Sequence, residues 1–236
     1  MNDITLPIQN KNILRPEDAY DLSAKFYDSW KWQEFWRNYE APIVRDIASR
    51  ACSQKRSGLN ILDIGCGTGW YLDYLADLSK MRTGIDISRG MLTVATGRLR
   101  DVYLRHADVE FTRFSKSKYD LILGTRILSH LQHPVPLIEK LRDAIHGSGW
   151  LILSDVDSTH NYTATKLPVA NTSVLAKTYK HERTKLFATI ENLGFASFEM
   201  KLIGINGEII DVNRFQDHFR RNDLAGWVAG WRKTIS

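Results

Sequence analysis

The segment Ile61-Leu62-Asp63-Ile64-Gly65-Cys66-Gly67-Thr68-Gly69 constrains this chain more than any other. A short apolar run ends in three alternating glycines. Tyr71, Leu72, Leu75 and Leu78 then follow at helical spacing. Glycines at such a junction let the backbone turn sharply and let a ligand lie against bare main chain. In an open α/β sheet, ligands bind beyond the carboxyl end of the first strand. The segment therefore predicts strand, binding loop and helix in that order.

The chain downstream repeats that grammar. Asn60–Ile64 reads as the first strand, Arg82–Ile87 as the second and Val109–Phe111 as a short third. Tyr119–Gly124 reads as the fourth and Trp150–Ser154 as the fifth. Helical spacing recurs at Met91, Leu92, Ala95 and Leu99, and again from Pro136 to Ile145, where Gly147-Ser148-Gly149 ends it. Nearly continuous apolar strands separated by helices predict a parallel sheet covered on both faces. Right-handed crossovers make it doubly wound. Residues 156–183 read as a polar loop, Thr184–Asn192 as a helix, and Ser197–Ile205 and Ala225–Trp231 as a terminal antiparallel pair. Asn213–Arg221 has room for a helical turn. The 236 residues, 43% of them hydrophobic, suffice for the core of one such domain.

Two further acids extend the glycine signal. Asp86 closes the second strand about 20 residues past the loop, where a carboxylate accepts ribose hydroxyls. Asp108 suits a carboxylate facing an adenine amino group. The loop is not the G-x-G-x-x-G of dinucleotide folds, whose helix N-terminus receives pyrophosphate. Asp63 beside it would repel a pyrophosphate but suits a ligand with an ammonium group. These residues disfavour a nicotinamide-dependent oxidoreductase.

The same residues resemble the class I S-adenosylmethionine-dependent methyltransferases. The resemblance rests on Ile61–Gly69, on Gly84-Ile85-Asp86-Ile87-Ser88 with Met91, and on Asp108. It extends to Tyr119-Asp120-Leu121-Ile122 and Leu128-Ser129-His130-Leu131. It implies an α/β fold with a seven-strand, Rossmann-like sheet whose last strand is antiparallel. It implies that Asp63 and the loop residues Gly65, Cys66 and Gly67 hold the methionine part of S-adenosylmethionine. Asp86, flanked by Ile87 and Met91, would take the ribose, and Asp108 with Val109 the adenine. Thr125 and Arg126 would lie beside the cofactor at the fourth strand's end.

Seven aromatic residues fall between Phe26 and Tyr39. Pairs four apart, Phe26 with Trp30 and Trp32 with Trp36, can share a helix face. Rings with polar tips suit a lid over a partly wet pocket. Residues 1–57 are expected to form an N-terminal helical lid region and residues 58–236 the cofactor-binding domain. Ala19-Tyr20-Asp21 and Phe26-Tyr27-Asp28 resemble the Tyr-Asp pair of small-molecule methyltransferases, so Tyr20 and Tyr27 are expected at the cofactor's carboxylate. Trp36 is a further candidate for cofactor or substrate contact.

A sulfonium methyl needs no protein nucleophile, only an aligned acceptor and, for a protonated one, a base. His130, on the ligand side after the fourth strand, is the first candidate base. His133, His160 and His181 are further ones. The resulting expectation is methyl transfer to oxygen or nitrogen of a small molecule. An RNA acceptor and a non-catalytic cofactor-binding module are the alternatives. The net charge of +5 is dispersed, without the patch that nucleic-acid binding needs. Cys52 and Cys66 have neither disulfide-framework nor metal-ligand spacing. Met1–Asn12 lacks the apolar stretch of a signal peptide, and no apolar run approaches the ~18 residues that span a membrane. Cysteine usage points to a reducing cytoplasm and no metal.

Overall fold

The computed structural model describes residues 13–55, 57–212 and 223–234. The chain opens with β1 (Ile13–Leu14) and three helices, α1 (Pro16–Tyr27), α2 (Lys31–Tyr39) and α3 (Ala41–Ser53). Pro16 and Pro42 sit in the first turns of α1 and α3. A missing N–H is harmless there, and the fixed φ suits a helix start. The expected alternation follows as β2 (Leu59–Ile64), α4 (Trp70–Tyr74), β3 (Ser79–Asp86), α5 (Arg89–Arg98), β4 (Val102–His106) and β5 (Tyr119–Thr125). Next come α6 (Val135–Ala144), β6 (Ile145–Val156), β7 (Ala164–Val169), β8 (Thr172–Lys177) and α7 (Arg183–Asn192). The chain closes with β9 (Phe195–Gly204), β10 (Ile209–Asp211) and β11 (Leu224–Lys233).

The large sheet runs β10-β9-β11-β6-β5-β2-β3-β4. Strands β4, β3, β2, β5 and β6 are parallel, and β11 is antiparallel to both its neighbours, β6 and β9. The sheet thus has the expected seven strands in number and an antiparallel last strand, with three-residue β10 added at one edge. Successive strand residues feed opposite faces. Leu62, Ile122, Leu151 and Leu153 pack with α6 and α7 through Leu141 and Phe187. Ile61, Leu121, Leu123 and Ile152 pack on the other face with Val44 and Ile47 of α3 and Leu92 of α5. Each such aliphatic side chain, fully buried, contributes about 1.5–3 kcal/mol.

Three local expectations are corrected. The third strand is Val102–His106 rather than Val109–Phe111. As the sheet's edge strand it is only half covered, which hides its apolar signal, and Tyr103 is 64% exposed. Gly147-Ser148-Gly149 does not end a helix but lies inside β6, which begins at Ile145. A Cβ on Gly149 would stand 2.8 Å from the Asp120 carbonyl, so the close approach of β5 demands the glycine. Residues 156–183 are not simply a polar loop. β7 and β8 form a hairpin, and β1 pairs with β8 in parallel to make a second sheet of three strands. Its two-residue turn contains Ala170 at φ +47 and no glycine, and Pro168 interrupts the strand pattern, so the usual hairpin signal is missing. The helical turn expected at Asn213–Arg221 lies outside the described residues.

Helix α1 lies on this small sheet, with Ala19, Leu167 and Ala176 as a buried cluster. Two aspartates, seven residues apart, fasten its other side to the large sheet. Asp21 accepts from Ser88 Oγ at 2.6 Å and from the Gly90 N–H at 2.8 Å. Asp28 receives Arg37 at 2.5 Å, Arg98 at 2.6 Å and Thr68 Oγ1 at 3.0 Å. Both acids thereby tie α1 across the ends of β2 and β3.

Candidate active site

The glycine loop leaves β2 with Gly65, Gly67 and Gly69 at φ +68, +52 and +74, the left-handed region that favours glycine. A Cβ on Gly69 would stand 2.5 Å from Leu99 Cδ1, so that glycine admits α5 to the loop. A Cβ on Gly67 would meet nothing within 4 Å. Gly67 faces a cavity of about 450 Å³ above the carboxyl ends of β2, β3 and β5, roofed by Tyr20 and Tyr27 of α1. That volume lies within the usual range for a small-molecule site, roughly 300–1,000 Å³.

Most of the residues singled out in the sequence meet here. Gly65, Gly67, Asp86 and Ile87 line the cavity from one end, and Asp108 and Val109 from beyond β4. Thr125, Arg126 and His130 complete it from the exit of β5. Asp86 is held at both oxygens, by the Gly67 N–H at 2.7 Å and the Ser88 N–H at 2.8 Å. Each carboxylate oxygen has two lone pairs, so each keeps one for a further donor. Burial raises its carboxyl above the usual range, opposed by these two N–H groups. Asp108 Oδ1 accepts from the Glu110 N–H at 2.8 Å and likewise keeps acceptor capacity.

Asp63, Met91, Cys66 and Trp36 are placed elsewhere. Asp63 is 1% exposed behind the loop, and its Oδ1 has no hydrogen-bond partner among the described residues. Burial, and then the charge of Asp86, push its carboxyl well above the usual range. Met91 is a fully buried residue of α5 that does not line the cavity, and its N–H donates to Ser88 Oγ. Cys66, with Trp36 and Trp70, lines a small pocket of about 40 Å³ that shares Tyr27, Gly65, Gly67, Thr125 and Arg126 with the large cavity. Burial raises its thiol well above the ordinary value.

A second cavity of about 190 Å³ adjoins the first. Tyr20, Tyr27, Arg126 and His130 line both and form the wall between them. The far side of the second cavity is built from Trp30, Trp32 and Trp36 and from His160 and Tyr162, so Trp36 faces this space rather than the larger one. His130 Nδ1 lies 3.0 Å from the Lys177 carbonyl, which can only accept, so Nδ1 carries the proton. The opposite nitrogen, Nε2, then accepts from the Tyr20 hydroxyl at 2.8 Å in the neutral ring. Withdrawal from solvent lowers the imidazole's pKa, against the smaller pull of the Lys177 carbonyl and Asp155. Desolvation likewise holds the Tyr20 phenol well above its ordinary value.

Nothing in the local sequence around Glu40 marks it as part of the site. It is 1% exposed at the α2–α3 junction and accepts from Tyr71 Oη and Ser154 Oγ, both at 2.6 Å, and from Arg126. Arg126 is held at φ +53, unusual for a residue with a side chain, by that carboxylate and by its own N–H on the Ser154 carbonyl at 2.7 Å. Such a backbone is sustained where its surroundings over-determine it. Sequence reasoning also misses Asp155, which accepts from the Ser129 N–H at 2.7 Å, and Lys177, whose carbonyl orients His130. Asp21 and Asp28 stand beside the chosen tyrosines. Their spacing of two helical turns is the signal that could have found them.

A doubly wound sheet with an antiparallel closing strand, a glycine loop and an acid at the end of the next strand define the S-adenosylmethionine-dependent methyltransferase class. The chain belongs to the methyltransferase domain family, whose pattern matches residues 35–196. It is 26% identical over 109 residues to a ubiquinone biosynthesis O-methyltransferase of Leptothrix cholodnii, covering 44% of this chain and 46% of that one. It is 24% identical over 224 residues to a tRNA U34 carboxymethyltransferase of Idiomarina loihiensis, covering 89% and 64%. The magnesium protoporphyrin IX methyltransferase of Synechocystis PCC 6803, solved with bound S-adenosylmethionine, shares the fold. Its TM-score is 0.58 at 16% identity, over 86% of this chain and 83% of that one. The chain spans about half the length of the first curated relatives it matches, from 46% to 50% for three ubiquinone-pathway enzymes. Among the described residues, no helix is long and apolar enough to cross a membrane.

Proposed function

We propose that this chain transfers a methyl group from S-adenosylmethionine to an oxygen or nitrogen atom of a small-molecule acceptor. The observation that carries this reading is the pair of adjoining cavities, one at the glycine loop and one walled by aromatic rings, that share Tyr20, Tyr27, Arg126 and His130.

The residues of the larger cavity fit the cofactor. Gly67 offers bare main chain where a Cβ would have only open space, and Asp86 keeps one free lone pair on each oxygen. Asp86 would hold the ribose, and Asp108 with the Val109 N–H the adenine. Gly65 and Gly67 would lie along the methionine part, with Thr125 and Arg126 beside it. Asp63 would act from behind the loop on the ammonium group, which would relieve its unpartnered oxygen. Tyr27 would reach the carboxylate end from the lid, the role proposed for α1 within residues 1–57, whereas Tyr20, expected there too, has its single O–H committed to His130 Nε2. When bound, S-adenosylmethionine supplies a methyl group already activated on positive sulfur.

The chain's own residues then position, exclude water and move one proton. The cavity wall aligns the acceptor atom, a contribution that can be worth about 7–11 kcal/mol of barrier. Helix α1 covers the junction and keeps water from competing. The acceptor's proton passes to Tyr20 Oη while the Tyr20 proton passes to His130 Nε2, which leaves an imidazolium stabilised by the Lys177 backbone carbonyl and the charge of Asp155. His130 is thus the terminal base and Tyr20 the relay.

Calorimetry with S-adenosylhomocysteine tests the cofactor assignment. Asp86→Ala should weaken binding at least about 30-fold, near 2 kcal/mol. An unchanged affinity would remove the ribose assignment. A screen of metabolite fractions with methyl-labelled donor tests the acceptor class. An RNA acceptor is the second reading, supported by the length of the match to the tRNA enzyme. Binding of tRNA with a steep loss of affinity in salt would favour it.

A further inference from the structure

The second cavity is specific in its chemistry. Trp32 stacks on Trp36 at 6.0 Å between ring centres, and His160 stands edge-on to Trp32 at 6.3 Å. An apolar cavity of about 150 Å³ takes one benzene ring. At about 190 Å³ this one has room for a single ring and small substituents.

Its charge is equally one-sided. Among the described residues no carboxylate lines it, while two cations do, Arg126 and Lys166. Arg126 is neutralised by Glu40, which leaves exposed Lys166 on β7 as the other formal charge of the lining. Gln33, 4% exposed, lines the same cavity, and its Nε2 has no hydrogen-bond partner among the described residues. A buried donor left so favours whatever ligand acceptor satisfies it. An ammonium-bearing acceptor would find the charge of Lys166 and no carboxylate in the lining. A ring bearing an acid would find a cation, a waiting amide donor and stacked indoles.

We propose that the acceptor is a single planar aromatic ring carrying a hydroxyl and a carboxylate. The indoles hold the ring, Lys166 and Gln33 select the acid, and the hydroxyl meets the Tyr20–His130 pair at the wall between the cavities. This rests on the methyl-transfer reading above and adds the acceptor's chemical class, with Lys166 as the residue that determines specificity.

Tryptophan-fluorescence titrations of the full chain, with S-adenosylhomocysteine present, test it. The probes are meta-hydroxybenzoate, meta-hydroxybenzamide and meta-hydroxybenzylamine, which share ring and hydroxyl but differ in charge. The acid should bind at least about tenfold tighter than the amide, and the amide tighter than the amine. Lys166→Gln should bring the acid down to the amide's affinity and leave the amide within about twofold. An amine that binds as tightly as the acid, a preference that survives Lys166→Gln, or no probe bound while S-adenosylhomocysteine binds would each overturn it. Failure of S-adenosylhomocysteine itself to bind in calorimetry would instead bring down the cofactor reading, and this inference with it.

Discussion

Alanine at position 67 would separate two contributions that most loop substitutions mix. Gly67 sits at φ +52, where an L-residue costs about 1–2 kcal/mol in backbone strain. Among the described residues, no atom beyond its two chain neighbours lies within 4 Å of the new Cβ, so packing adds nothing to that figure. With a urea slope of about 2–3 kcal/mol/M for a chain of this size, the midpoint should fall by roughly 0.5 M. The methyl group would project instead into the 450 Å³ cavity, against the place assigned to the methionine part. Ligand there would have to move off the main chain, so affinity for S-adenosylhomocysteine should drop at least about 100-fold, or 2.7 kcal/mol. Gly69→Ala is the control. Its Cβ would stand 2.5 Å from Leu99 Cδ1, so its dominant effect should be on stability. Urea melts and calorimetry on the two variants give both numbers. Binding by Gly67→Ala within about threefold of the parent would refute the placement of the cofactor on this loop.

Other perturbations test the buried charges. Asp63→Asn should stabilise the cofactor-free protein by about 1–3 kcal/mol at pH 7, because it removes a buried carboxylate with an unpartnered oxygen. The folded carboxyl titrates above its unfolded value. Its contribution is therefore fullest in acid and lost as pH rises through the folded value. The advantage of the Asp63→Asn variant should accordingly grow with pH in urea melts, and a constant difference would contradict the assignment. Glu40→Ala strands Arg126, Tyr71 and Ser154 and should cost about 3–5 kcal/mol, read as a lowered urea midpoint; a loss under about 1 kcal/mol would mean that Glu40 is not the anchor of this junction. His130 titrates below its unfolded value, so its stabilisation is complete at neutral pH and is lost as pH falls below about 6.5. His130→Gln should flatten part of that acid limb in melts between about pH 5 and 7, and an unaltered limb would show that the ring is not held neutral.

Legibility followed the range of the interactions. Buried parallel strands such as β2 and β5 are apolar on both faces and can be read from local sequence. β4 is displaced in such a reading because as an edge strand it has no fully buried residue, so it lacks the continuous apolar run that marks β2 and β5. The β7–β8 hairpin escapes it because Ala170-Asn171 turns the chain without glycine. The tyrosines of α1 stand out for their hydroxyls, and Asp21 and Asp28 beside them show their spacing but not what they bind. Their partners Ser88 and Arg98 lie about 70 residues away, a distance that no local pattern spans. Glu40 is the extreme case, a lone acid whose three partners come from three other parts of the chain.

The amino-acid order by itself determined the doubly wound sheet, the loop at the end of its first strand and the acids that face it. Each of these is a local matter of side-chain period, positive φ and residue type. Only the tertiary structure decided what stands opposite. It set Trp36 facing the second cavity, closed Tyr20 onto His130 and brought Lys166 to an aromatic wall. Those neighbours come from α1, α2, the β5 exit and β7, and packing alone determines which of them share a cavity.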